Sequence, residues 1–400
     1  MDETGSFKAC LCEDVKGLLC LYEASYLCVQ GESTLEQARD FAYRHLGKAL
    51  EQNIDQNFAI KVNQALEVPL HWRMPRLEAR WFIDVYEKRQ DMNHILVELA
   101  KFDYNMVQAT HQEELRHMSS WWRSTRLGEK LNFARDRLME SFLWTVGVIF
   151  EPQYGYCRRM STKVNTLVTI IDDVYDVYGT LDELELFTDA VDRWDINAMD
   201  QLPEYMKLCF LALYCSASCD SESFYANNKS STQALIPIVA PAKAFMPTML
   251  VQEHKDKTIT HTEFGTLPNI YNSINEMAYD ALKEHGLHII SYLRKAVLCA
   301  TDERKRGDVP KSIQCHMYET GASEEDARKH ISYLIGETWK KLNEDRTAES
   351  PFPETFIGIA TNLARMAQCM YQHGDGHGIE DGETKDRLLS LLVEPHSLRQ

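Results

Sequence analysis

Basic charge is scarce in this sequence: 43 lysines and arginines stand against 60 aspartates and glutamates, a net charge of −17 over 400 residues. Nucleic acid and anionic membrane surfaces are recognised by clustered basic residues, so neither is expected as a general partner. An anionic ligand would need a bound cation or a local arginine cluster. Paired cysteines are also missing. None of the 11 cysteines forms a CxxC pair and the number is odd, which reads as reduced, mostly buried thiols in an intracellular protein. No apolar run approaches the ~20 residues of a membrane-spanning helix. The opening residues, MDETGSFKAC, have neither the apolar core of a signal peptide nor the Arg/Ser-rich, acid-poor look of a transit peptide. The chain as written is therefore expected in the cytoplasm. Nor does any segment sustain an alternation of apolar and polar residues, so no sheet is expected.

What is present is helical. "DMNHILVELAKFDYNMVQATHQEELRHMSSWW" spaces its apolar residues at three and four, as an amphipathic helix does. "RDRLMESFLWTVGVIF" and "STKVNTLVTIIDDVYDVYG" are more uniformly apolar, as helices in the middle of a bundle are. "EEDARKHISYLIGETWKKLNEDR" is amphipathic again, with Ser323 placed to cap it. The fold class is all-α. Residues 215–271 depart from this pattern, with four of the 12 prolines, a Ser/Asn-rich opening and no clean period. A structureless stretch of that length is uncommon in a compact helical domain, so it is either a functional insertion or no part of the ancestral fold.

The candidate chemistry lies in "IIDDVYDVYG", residues 170–179, where three carboxylates close an apolar run. On an α-helix Asp172 and Asp176 share a face, with Asp173 about 100° around. Such a group repels itself and loses hydration unless a cation compensates. Magnesium fits, because it takes one or two protein carboxylates and completes its shell with water and phosphate oxygens. An exposed acidic helix end would carry a similar run, but Leu167, Val168, Ile170 and Ile171 argue for burial. Upstream, Arg135 and Arg137 flank Asp136 beside a helix carrying Phe142 and Trp144. Their planar forks suit a diphosphate. A surface arginine pair bridged to Asp136 or Glu140 is the competing reading.

These residues resemble the plant class I terpene synthases, and within them the monoterpene synthases of flowering plants. "LHWRMPRLEARWFIDVYEKRQDMN", "FARDRLMESFLW", "TIIDDVYDVYGTLDELELFTDAVDRWD", "LPEYMKLCFLALY", "KRGDVPKSIQC", "GASEEDARKHI" and "MYQHGDGHG" are similar to the family's text, in its order. Outside 215–271 the resemblance covers nearly the whole chain. It implies a class I terpenoid synthase helical bundle with a deep aromatic pocket. Mg²⁺ or Mn²⁺ would be held by Asp172, Asp173 and Asp176 and would grip a prenyl diphosphate, with Asp172 and Asp176 the direct ligands. Arg135 and Arg137 match the pair that takes the departing diphosphate, and Trp144 a pocket aromatic. Tyr371 and Asp375 match the loop that caps the closed site. The alternation of His373, Asp375 and His377 is read as part of that capping loop, its glycines being too flexible for a separate metal site. The expected reaction is ionisation of geranyl diphosphate to a cyclic or acyclic monoterpene or monoterpene alcohol, by a monomer.

The sequence also departs from the family pattern. Residues 1–76 read as the remnant of a longer amino-terminal helical domain, and 77–400 as the catalytic domain. Intact members would be expected in plastids. Residues 215–271 read as a retained intron, since joining Tyr214 to Asn272 restores a helical text. The family's second metal motif should precede "KRGDVPKSIQ". There Glu303 matches its last ligand, but Lys295 and Cys299 stand where the other two belong, as though residues were lost near 296–301. The expectation is weakened ionisation. A second reading is an inactive relative, the product of a damaged or misread gene.

Overall fold

The computed structural model describes residues 7–52, 54–193, 195–218, 312–349, 353–372 and 382–398, and within them not the side chains of Asp176, Asp192 and a few others. Every described element is helical. Glu303, Asp375, the His373–His377 alternation and nearly all of 215–271 lie outside these residues.

Helices α1 (Val15–Ser25), α2 (Ser33–Glu51) and α3 (Gln56–Glu67) enclose a small core of Leu18, Tyr22, Ala42, Leu46, Val62 and Ala65. Two of them start on an aspartate cap. Asp14 accepts from the Gly17 amide at 2.9 Å and Asp55 from the Phe58 amide at 3.0 Å, each satisfying an amide that the first turn leaves over. A turn at Leu70–Trp72 leads into α4 (Pro75–Glu87), whose first residue is a proline, where a missing amide costs nothing. The junction drawn between 76 and 77 thus falls inside the first turn of α4.

The main bundle follows. Asn93 caps the 32-residue helix α5 (His94–Thr125), accepting from the amides of Ile95 and Leu96. A short turn, α6 (Leu127–Lys130), and an irregular stretch precede α7 (Leu138–Val148) and α8 (Gly155–Asp173). Then come α9 (Leu181–Arg193), α10 (Glu204–Ser218), α11 (Ser312–Thr320), α12 (Glu324–Thr347), α13 (Glu354–Tyr371) and α14 (Gly382–Leu388). Ser323 caps α12 as expected, accepting from the Asp326 amide. The core gathers Phe142, Leu143 and Val146 of α7, Leu167, Ile170 and Ile171 of α8, Phe187 of α9, Phe210 of α10 and Met366 of α13. Gly147 permits the α7–α13 contact: a Cβ there would meet the Met366 sulfur at 2.1 Å. α10 continues through 215–218, past the start of the segment set apart by its composition. The cysteines differ in part from expectation. Among the described residues none is in a disulfide, but Cys10, Cys20 and Cys215 are exposed, while Cys28, Cys157, Cys209 and Cys369 are buried.

One ion pair locks α5 to α8 inside the bundle. Arg158 donates to both oxygens of Glu114 at 2.7 Å, and to the carbonyls of Ile149 and Glu151. Gly155 leaves room for it, since a Cβ there would press on Glu114 at 2.3 Å. Beside this pair His111 is fully buried, with Nε2 2.9 Å from the Phe150 carbonyl. Burial, then the Arg158 charge, holds its imidazole down to about 3. His71 is held down to about 4, chiefly by burial. Both are neutral when folded, whereas an unfolded histidine takes its proton near pH 6.5. Between those values the unfolded chain binds more protons, so stability is complete above pH 6.5 and falls as the pH drops toward 4. Each histidine contributes a slope of up to about 1.4 kcal/mol per pH unit. Urea midpoints at pH 7.5, 6 and 5 should decrease in that order, and His111→Gln should flatten the dependence.

Candidate active site

The arginine pair precedes its helix. Residues 134–137 run irregularly into α7, and that irregularity lets a main-chain amide as well as a guanidinium face the aspartates. The Arg135 amide donates to Asp173 Oδ2 at 2.7 Å, and its Nε reaches the same oxygen at 3.1 Å. An amino group of Arg135 lies 2.7 Å from Asp173 Oδ1 and 3.2 Å from Asp172 Oδ2. Asp173 keeps only 5% of its side chain exposed, against 25% for Asp172. A carboxylate that deep is stable only when paired and hydrogen-bonded, and Arg135 supplies both. The two aspartates therefore differ: Asp173 is the buried anchor of the arginine loop, and Asp172 is the more exposed of the two.

The expected helical face is corrected by the backbone. α8 ends at Asp173, and Val174–Tyr178 forms a π turn, closed by the Gly179 amide on the Val174 carbonyl at 2.7 Å. Asp172 and Asp176 thus straddle a change of helical pitch, and a simple i, i+4 relation does not hold across it. The Asp176 side chain lies outside the described residues. Hydroxyl and aromatic contacts hold the π turn. The Tyr175 hydroxyl meets Thr188 Oγ1 on α9 at 2.8 Å. Tyr178 stacks on Phe133, just before the arginines, at 3.9 Å and 2°. Tyr205 of α10 abuts both rings edge-on and donates its hydroxyl to Glu183 at 3.1 Å. The amide and hydroxyl of Thr180 also donate to Glu183 and hold its carboxyl below the usual range. Burial, then the bond to Glu183, pushes the Tyr205 phenol up.

The other predicted residues distribute as follows. Arg137 approaches Glu140 at 3.6 Å, the pairing that the competing reading named. Asp136 accepts from Arg137 through its main-chain carbonyl, at 3.4 Å, while its carboxylate accepts from the Trp122 indole at 3.1 Å. Trp144 on α7 is 5% exposed and meets Tyr371 of α13 edge-to-face at 6.1 Å. Arg135, Asp172 and Asp173 are therefore brought together, and Trp144 with Tyr371. Sequence reasoning missed Phe133, Tyr178, Tyr205 and Glu183. The aromatic residues flanking both motifs were the available signal.

Among the described residues no three carboxylates, imidazoles or thiols converge into a cage. The donors that are present, Asp172 and Asp173, are hard carboxylate oxygens, which suit a magnesium-like ion rather than a soft metal. The pair already holds a cation, the Arg135 guanidinium. An ion at Asp172 would share that carboxylate with Arg135.

Known proteins give this geometry a family. The signature described as "Terpene synthase family, metal binding domain" matches residues 123–255 and 299–341, and "Terpene synthase, N-terminal domain" matches residues 1–66. The (-)-alpha-terpineol synthase of Vitis vinifera is 63% identical, over 98% of this chain and 70% of its own length. The chain belongs to the terpene synthase family. The chloroplastic myrcene synthase of Quercus ilex is 54% identical, over all of this chain and 70% of its own. Among solved structures, grey poplar isoprene synthase with three Mg²⁺ ions and dimethylallyl-S-thiolodiphosphate superimposes with a TM-score of 0.85. It is 43% identical, over 99% of this chain and 80% of that one. A limonene synthase with 2-fluorolinalyl diphosphate gives 0.81 at 39% identity, over 99% and 77% of the two chains. The fold is the class I terpenoid bundle, and the chain carries the family's divalent-metal domain. The first matched block runs into the segment set apart from residue 215, and the gap between the blocks spans 256–298.

Proposed function

We propose that this terpene synthase ionises geranyl diphosphate with Mg²⁺, releasing diphosphate and forming a cyclic or acyclic monoterpene or monoterpene alcohol. The observation that carries the proposal is Arg135, which joins Asp172 and Asp173 at the end of an apolar helix. Groups for a cation and groups for an anion stand there side by side. Bound Mg²⁺ would neutralise the diphosphate oxygens as the allylic C–O bond breaks. Asp172 and Asp176 would hold the ion, with Asp173 keeping Arg135 in place. The bonding pair leaves with the diphosphate, whose new charge Arg135 and Arg137 meet with paired N–H donors. The allylic cation is left facing Trp144, whose ring quadrupole stabilises positive charge. Tyr371 and Asp375 would cap the site and exclude water. Glu303 would be what remains of the opposite metal motif, and for that reason turnover should be low. The names of the relatives, myrcene synthase and terpineol synthase among them, support the monoterpene assignment, and the chloroplastic ones a plastid location. Residues 1–76 would then be the amino-terminal domain and 77–400 the catalytic one.

An inactive relative is the second reading, favoured by Lys295 and Cys299 at the expected ligand positions. The purified chain, incubated with geranyl diphosphate and Mg²⁺ and followed by volatile analysis and diphosphate release, separates the two. Metal-dependent monoterpene that disappears with EDTA supports synthesis. A folded protein that releases no diphosphate leaves the inactive reading. Farnesyl diphosphate as the preferred substrate would replace the monoterpene assignment.

A further inference from the structure

The seam between α12, α13 and the turn Leu70–Trp72 holds a cluster that the proposed catalysis does not use. Asn343 on α12 donates through Nδ2 to the carbonyls of Tyr26 at 2.9 Å and Cys28 at 3.0 Å. This fixes its amide, so Oδ1 is the atom that faces His71 Nε2 at 2.8 Å, and that nitrogen must carry a proton. Arg346, one turn further along α12, brings an amino group to 3.1 Å from the same nitrogen. A ring N–H cannot accept a hydrogen bond. Two donors therefore face each other, and Arg346 gains no acceptor from the contact. Arg365 on α13 reaches His71 from another side, its Nε donating to the His71 carbonyl at 2.9 Å and one amino group to Asn362 Oδ1 at 2.8 Å. Among the described residues its second amino group meets no acceptor.

Two guanidinium groups thus converge on one residue in a protein of net charge −17. Among the described residues neither has a carboxylate partner. Burial, then the Arg346 charge, holds Arg365 down to about 10, the mark of a cation that lacks compensation. Arg346 is exposed, so an ion from solvent can reach it.

We infer that Arg346 and Arg365, gathered around His71, form a binding site for a small tetrahedral oxyanion, phosphate or one end of a diphosphate. The ion supplies the acceptor that Arg346 lacks and relieves the repulsion between the two arginines. It bridges α12 to α13 and so stabilises their docking on the turn that carries His71. The inference does not depend on catalysis. A reporter is built in: Trp339 stacks on Trp72 at 5.2 Å and meets the His71 ring at 5.5 Å.

The test is a titration of the full chain with inorganic phosphate in EDTA, against chloride at equal ionic strength, read by tryptophan fluorescence and by Tm. Saturable quenching or enhancement and a rise of a few degrees in Tm are expected, with at least a tenfold weaker response in Arg346→Gln. That side chain is exposed, so its replacement leaves the fold standing. A linear response, an equal response to chloride, or an unchanged response in Arg346→Gln overturns the site. Diphosphate is the second arm. Diphosphate binding that survives in Arg346→Gln and is lost in Arg135→Gln would place the anion at the aspartates and end the seam assignment.

Discussion

Glu114→Ala is expected to destabilise the protein by about 3–5 kcal/mol, because it leaves Arg158 as an uncompensated buried cation. The Arg158 side chain is 0% exposed, and both oxygens of Glu114 are engaged with it. The carbonyls of Ile149 and Glu151 also accept from Arg158, but they cannot neutralise its charge. Against a total stability of about 5–15 kcal/mol, the loss would leave a marginal protein. A urea midpoint lowered at constant slope is the measurement. Combining Glu114→Ala with Arg158→Met should restore much of the loss, since both desolvation costs are then removed. A shift below about 1 kcal/mol in the single variant would mean that the pair behaves like an exposed ion pair, against its burial.

The second large effect lies at the aspartates. Asp172→Ala and Arg135→Gln should each lower turnover by about 10²–10³-fold, the usual loss when a group aimed at developing charge is removed. They should differ in metal binding. Asp172→Ala removes a carboxylate that would hold the ion, so the Mg²⁺ concentration for half-saturation should rise. Arg135→Gln removes the positive charge that contacts Asp172 and Asp173, so Mg²⁺ should bind as tightly or more tightly while turnover falls. Calorimetric Mg²⁺ titration without substrate reads this independently of activity. Weaker metal binding in Arg135→Gln would show that the arginine holds the aspartates in a binding geometry rather than competing with the ion. Unaltered Mg²⁺ binding in Asp172→Ala would remove Asp172 from the metal site.

The helical character was legible because it is local. The three-and-four spacing of α5, the proline that opens α4 and the serine that caps α12 are statements about neighbours in the chain. The family was legible through motif text in its order. Less was legible at the site. The aspartate run invited a uniform α-helix, but the pitch changes at Val174, where Tyr175 is held by Thr188 and Tyr178 stacks on Phe133. The arginine pair was read as equivalent, yet Arg135 grips the aspartates and Arg137 turns to Glu140. Their neighbours across the fold decide that difference.

By itself the sequence determined an all-α chain with an apolar helix ending in three carboxylates and an arginine pair 35 and 37 residues upstream of Asp172. Residue type, spacing and periodicity suffice for this, since each acts within a few turns of one helix. Only the tertiary structure decided that Asp173 is a buried anchor while Asp172 stays more exposed, and that Trp144 meets Tyr371. It alone brought Arg346, Arg365 and His71 into one seam. Burial and long-range hydrogen bonds set these outcomes. They depend on which helices meet, and no local pattern in the chain encodes them.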